Sequence, residues 1–122
     1  MSGEFLLLVE DDEAVAEGLA LILSLEGFRV QTLTRGRPVH RIVSYREPEL
    51  VIMDVTLPDI DGVTVARELR RNRLGLPIIL MTGHDVTPIA ENLRDEKNIY
   101  LLQKPFDMRD LVALIRRILT RA

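Results

Sequence analysis

Four runs of continuous apolar residues, Phe5–Val9, Leu50–Met53, Pro77–Met81 and Ile99–Leu102, are each only as long as a strand. The sequence between them follows a helical period. An isolated strand that is apolar on both faces has to be covered twice, which parallel sheets achieve with helices above and below. Phe28–Leu33 is more mixed and fits an edge strand. Val15, Leu19, Ile22 and Leu23 form one helical stripe, with Gly27 as its stop signal. Val65, Ala66 and Leu69 form a narrower one, with Arg67, Glu68, Arg70 and Arg71 placed outside. Leu111, Leu114, Ile115 and Ile118 make a final helix, for which Asp107 is the expected N-cap. Pro38–Tyr45 and Val86–Arg94 are weaker helical segments. The last has only Val86, Ile89, Ala90 and Leu93 to anchor it, so it should be the least firmly held.

The order is therefore strand–helix repeated five times, which predicts an α/β fold with right-handed crossovers. A chain of 122 residues without repeats or linkers reads as a single domain over 1–122. With 47% hydrophobic and 29% charged residues it does not have the composition of a disordered tail. Fourteen of its sixteen cations are arginines, but they are interspersed with acids at a net charge of −3, which argues against direct nucleic-acid binding by this segment. The absence of cysteine excludes disulfides, thiolate metal sites and cysteine nucleophiles. Phe5–Val9 is too short to span a membrane and is followed at once by acids, unlike a signal peptide. These features point to the cytoplasm.

In open sheets of this kind the working site lies beyond the carboxyl ends of the strands. Glu10, Asp11 and Asp12 follow the first strand, Asp54 ends the third, Thr82 ends the fourth and Lys104 follows the fifth. Converging carboxylates repel and need a cation or protonation to coexist. A hard divalent ion with oxygen ligands, such as Mg²⁺, suits them and retains waters for a phosphate. One carboxylate can then attack phosphorus and form an acyl phosphate, while the Lys104 ammonium and the Thr82 hydroxyl hold phosphoryl oxygens. A carboxylate is already ionised at neutral pH, so no general base is required.

The stretches LLLVEDDE at 6–13, PELVIMDVTLPDIDG at 48–62, PIILMTGHD at 77–85 and LLQKPF at 101–106 together resemble the receiver domains of bacterial two-component response regulators. The resemblance implies a flavodoxin-like (βα)5 fold, a doubly wound parallel sheet of five strands in the order 2-1-3-4-5. It implies that Asp54 is the phosphoacceptor and that Asp11, Asp54 and the backbone carbonyl of Thr56 coordinate Mg²⁺, with Glu10 acting through water. Asp12 then opens the first helix. Thr82 and Lys104 match the family's hydroxyl and lysine positions, and the Lys104–Pro105 peptide matches its cis bond. By the same resemblance a sensor histidine kinase or phosphotransfer protein donates the phosphoryl group, and an effector domain or downstream protein reads the result. The readout surface would be the fourth helix, fifth strand and fifth helix. Such a domain is not a classical enzyme; it catalyses only its own phosphorylation and dephosphorylation.

Two positions depart from the family pattern. Leu101 stands where relatives often carry an inward-turning aromatic, with Tyr100 one residue early and on the opposite face. The segment RDEKNI lacks the relatives' Gly-Ala turn. The alternative to a phosphoacceptor is a degenerate receiver that binds a partner regardless of phosphorylation. Thr56 and His84 match variable positions beside the site, and His40 reads as a surface residue on the second helix. Leu57–Glu68 partly mimics a calcium loop, but Leu57 offers no ligand oxygen at its first place and no helix precedes it. PDIDG reads instead as a turn, with Asp61 or Gly62 starting the next helix.

Overall fold

The computed structural model describes residues 3–120; Met1, Ser2, Arg121 and Ala122, the outer limits of the expected domain, lie outside the described residues. Five strands, β1 (Phe5–Val9), β2 (Arg29–Leu33), β3 (Leu50–Asp54), β4 (Ile78–Thr82) and β5 (Ile99–Gln103), alternate with five helices. These are α1 (Glu13–Leu25), α2 (Val39–Arg46), α3 (Gly62–Asn72), α4 (Val86–Asn92) and α5 (Met108–Leu119). All strand pairs are parallel, in the order β2-β1-β3-β4-β5. This is the flavodoxin-like order expected from the sequence.

Every residue of β1, β3 and β4 is buried. Alternation along each strand sends successive side chains to opposite layers. Leu6, Leu8, Leu50, Ile52, Ile79 and Met81 pack with Leu19 and Leu23 of α1 and Leu111, Ile115 and Ile118 of α5. Leu7, Val9, Val51, Met53, Ile78 and Leu80 pack with Val39 and Val43 of α2 and Val63, Val65, Ala66 and Leu69 of α3. β2 and β5 are only partly covered, as sheet edges are. No described helix is long and apolar enough to cross a membrane.

Side chains cap the helices where polar residues precede them. Asp12, Asp61, Asp85 and Asp107 each accept a backbone N–H from the first turn of α1, α3, α4 and α5. Asp61 is therefore the cap and Gly62 the first helical residue. Helix α4 ends at Asn92, short of the expected Arg94, and buries no residue of its own. Leu93, just beyond it, provides the buried anchor. In RDEKNI the turn is made by Asn98 with φ 62°, a left-handed conformation that asparagine tolerates better than most residues.

Two expected faces are corrected. In α1 the buried stripe is Ala16, Leu19 and Leu23, whereas Val15 and Ile22 are 42% and 36% exposed. Val15 instead borders a groove with Pro105, Phe106 and Met108. In α3, Arg70 is not on the outer side but buried at 4% exposure. Its guanidinium donates to the carbonyls of Arg73, Leu74, Leu76 and Asn98, tying the end of α3 to the entries of β4 and β5. Charge counting on a helical wheel cannot show four carbonyls that converge from outside the helix.

Arg70→Met should lower unfolding free energy by about 2–3 kcal/mol in urea titrations, because buried carbonyls lose charged donors. Asp107 is held at about 2, below its ordinary 3.8, by the side-chain hydrogen bonds of Arg109 and then its N–H. A depressed carboxylate gives stability that is present above its unfolded pKa and lost as pH falls through the folded one. The stability gap between wild type and Asp107→Asn should therefore be constant at neutral pH, narrow between pH 3.8 and about 2, and level off below.

Candidate phosphoryl and metal site

The parallel register decides which residues meet. Pairing of Val9 with Met53 and of Asp54 with Met81 brings the ends of β1, β3 and β4 to one edge. The Lys104 N–H donates to the Thr82 carbonyl at 2.7 Å, bringing the segment after β5 to the same edge. Lys104–Pro105 is a cis peptide, as the resemblance implied.

At that edge the Lys104 ammonium lies 2.5 Å from Asp54 Oδ2 and 3.1 Å from Glu10 Oε1. The other Asp54 oxygen accepts the Thr56 N–H at 2.9 Å, and the other Glu10 oxygen accepts the Asp12 N–H at 3.1 Å. Glu10 and Asp54 are buried, while Asp11 is exposed and its carboxylate takes no hydrogen bond among the described residues. Ligand oxygens of Glu10, Asp11 and Asp54 all lie within 4.8 Å of one another. Three carboxylates of this kind form a hard, all-oxygen donor set suited to Mg²⁺ rather than to a soft metal.

Thr82 is buried at the end of β4, and its hydroxyl accepts the His84 N–H at 3.0 Å without bonding to Asp54 or Lys104. The Thr56 carbonyl takes no hydrogen bond among the described residues, which leaves its lone pairs available. His84 is exposed, and its carbonyl accepts the Gln103 side chain. His40 lies on α2 and is partly exposed, as expected of a surface residue there, and it pairs with Glu68 of α3 at 2.7 Å, a tie between helices. The calcium-loop alternative has no geometric support. Asp59 is bonded to the loop before α2 while Asp61 caps α3, so they do not converge.

The sequence reading passed over the role of Gly62. Its N–H donates to the Val55 carbonyl at 2.8 Å, and a Cβ at this position would fall on the Asp54 carbonyl oxygen. Helix α3 thus starts directly against the backbone of Asp54, and only a residue without a side chain fits. Asp59 had a reading only as a position of the calcium-loop pattern, and the sequence gives no reason to place it against residues 36 and 37.

Burial raises the Glu10 pKa, against the Asp12 N–H and Lys104, with the Asp54 charge adding to the rise. For Lys104 burial works against the charge, but the hydrogen bonds it donates to Asp54 and Glu10, with their negative charges, outweigh it and raise its pKa. One ammonium thus faces three acids. Neutralising the acid that lacks a partner should relieve repulsion. Asp11→Asn is expected to raise metal-free stability by a few tenths of a kcal/mol at low salt, a gain that fades with added salt in denaturant titrations.

Comparison with known proteins agrees with this geometry. The response regulator receiver domain pattern matches residues 6–116. The transcriptional regulatory protein AfsQ1 of Streptomyces coelicolor is 39% identical over 95% of this chain and 51% of its own length. GltR of Pseudomonas aeruginosa, likewise a transcriptional regulatory protein, is 38% identical over 99% of this chain and 51% of its own. The chain thus spans about half the length of these curated relatives. A response regulator structure from Chloroflexus aurantiacus superposes with a TM-score of 0.87 at 33% identity, covering 98% of this chain and all of that one. A CheY-like receiver from Methanospirillum hungatei shares the fold at TM-score 0.89 and 24% identity, covering 97% of this chain and 94% of that one. The chain belongs to the response regulator receiver domain family of two-component signalling systems.

Proposed function

We propose that this receiver is a phosphoacceptor switch in which Asp54 takes a phosphoryl group with the help of Mg²⁺. The observation that carries the reading is the Lys104 ammonium on Asp54, beside the Glu10 and Asp11 carboxylates. A buried nucleophilic carboxylate, a fixed cation and a hard-metal donor set are the parts that phosphoryl transfer needs when positioning and charge neutralisation do most of the catalysis.

Asp11, Asp54 and the Thr56 carbonyl would hold the metal, with Glu10 acting through water. Bound there, Mg²⁺ would supply neutralisation of the negative charge gathered on the phosphoryl oxygens. Asp54 contributes the carboxylate oxygen that forms the P–O bond as the P–N bond of a donor phosphohistidine breaks. The freed imidazole nitrogen takes its proton from solvent. Lys104 already lies on Asp54 and needs little movement to reach a phosphoryl oxygen. The Thr82 hydroxyl, held by the His84 N–H, would have to turn towards the new group. That rearrangement couples the site to the loop before α4.

The donor would be a histidine kinase or phosphotransfer protein. The output would be an effector domain or a separate protein docking on α4, β5 and α5. The domain would act as one receiver unit, catalysing only its own modification and its reversal. Helix α4, with no buried residue, is the element that a small bias can shift.

Intact mass after incubation with Mg²⁺ and acetyl phosphate tests this reading. Wild type should gain one hydroxylamine-labile phosphoryl group, and Asp54→Ala none. No gain by wild type, together with no binding of beryllofluoride, would leave a constitutive interaction module as the better account.

A further inference from the structure

The β3–α3 connection, residues 55–61, carries Thr56 and so rests directly against the site. Its two ends are pinned. The Val55 N–H donates to Met81 at 2.9 Å and the Val55 carbonyl accepts from Gly62 at 2.8 Å. Between these pins, among the described residues, Asp59 alone is hydrogen-bonded to another loop. One of its carboxylate oxygens accepts the Gly36 N–H at 2.8 Å and the other accepts the Arg37 N–H at 2.9 Å.

The two loops also interlock sterically. Gly36 is buried, and a Cβ there would meet the Ile60 γ-methyl at 2.5 Å, Leu57 at 3.1 Å and Val65 at 3.3 Å. The loop entering α2 and the loop leaving β3 are therefore packed closely against each other at Gly36. Desolvation works against the Asp59 charge, but the Gly36 and Arg37 N–H groups and the Arg37 cation outweigh it and lower its pKa, so the clamp is ionised at neutral pH.

We infer that Asp59 is a positioning residue for the metal site: by clamping residues 56–61 onto Gly36 and Arg37 it fixes the Thr56 carbonyl where Mg²⁺ requires it. This rests on the phosphoacceptor reading above. Mg²⁺ demands near-ideal octahedral geometry; the Thr56 N–H is held by Asp54 Oδ1 at 2.9 Å, and the Asp59 clamp adds the tie that holds the rest of this seven-residue connection to another loop. Groups that orient metal ligands typically change affinity by about 10–100-fold when removed. Asp59 touches no reacting atom and acts only through the loop. The clamp also ties the entry of α2 to the metal site.

The test is a calorimetric Mg²⁺ titration of wild type, Asp59→Ala, Asp59→Asn and Asp54→Ala, with thermal melts alongside. Asp59→Ala is expected to weaken Mg²⁺ binding by about tenfold. Asp59→Asn, with one acceptor oxygen for the two N–H groups, should fall between it and wild type. Phosphoryl uptake from acetyl phosphate should be slowed in Asp59→Ala at low Mg²⁺ and restored to the wild-type rate at saturating Mg²⁺. A merely structural role would lower the melting temperature but leave Mg²⁺ affinity unchanged, or slow uptake in a way that saturating Mg²⁺ does not repair. Either result would overturn the inference while leaving the phosphoacceptor reading intact. Failure of wild type to bind Mg²⁺ through Asp54 would instead remove that reading, and the role of Asp59 with it.

Discussion

Burying three adjacent strands on both faces leaves polar chemistry very little room. Along β1, β3 and β4 every side chain enters one apolar layer or the other, and a carboxylate there would lose its hydration with nothing to replace it. Only the strand ends offer backbone N–H groups, solvent and neighbouring loops. Parallel pairing puts the carboxyl ends of all five strands on one edge, and because β1 lies between β2 and β3 the connections there diverge. Glu10, Asp11, Asp54 and Lys104 come together at this edge. The apolar strands thus determine where these residues meet.

Charge balance at that edge is incomplete. Lys104 satisfies one oxygen each of Asp54 and Glu10, backbone N–H groups satisfy the others, and Asp11 is left to solvent. Such a cluster tolerates its buried charges only through fixed partners, and a further cation would relieve it. It follows that the site and the loops around it are coupled electrostatically. A change of charge on Asp54 alters what Lys104 must neutralise, what the Thr56 N–H donates to and the repulsion that Glu10 meets, and each of these is attached to a different loop.

Those loops are not held equally. The start of α3 is fixed by the close approach of Gly62 to Asp54, the connection before it is clamped by Asp59, and the end of α3 is tied down by buried Arg70. Helix α4, by contrast, has a side-chain cap but no buried residue, and its nearest anchor is Leu93 beyond its end. Leu101 packs in the layer of α2, α3 and Ile89, and Tyr100 in the α5 layer, as strand alternation required. Movement after a change at the site would therefore concentrate in α4 and its preceding loop, under the phosphoacceptor reading.

The alternation of apolar runs with helical periods determined the α/β class, the strands and the position of each candidate residue at a strand end, because periodicity reports burial directly. The resemblance to receiver domains added the strand order and the selection of Glu10, Asp11, Asp54, Thr82 and Lys104, four of which the fold joins through direct ties or close ligand oxygens. Helix faces were less legible. The α1 stripe shifted to Ala16, and Arg70 turned inward, since what a helix docks against is not written in its own period. The tertiary structure alone showed that Gly62 abuts Asp54, that His40 reaches Glu68 and that Asp59 grips Gly36 and Arg37. These are contacts between segments distant in sequence, set by how the layers stack, and no local pattern of residue types encodes them.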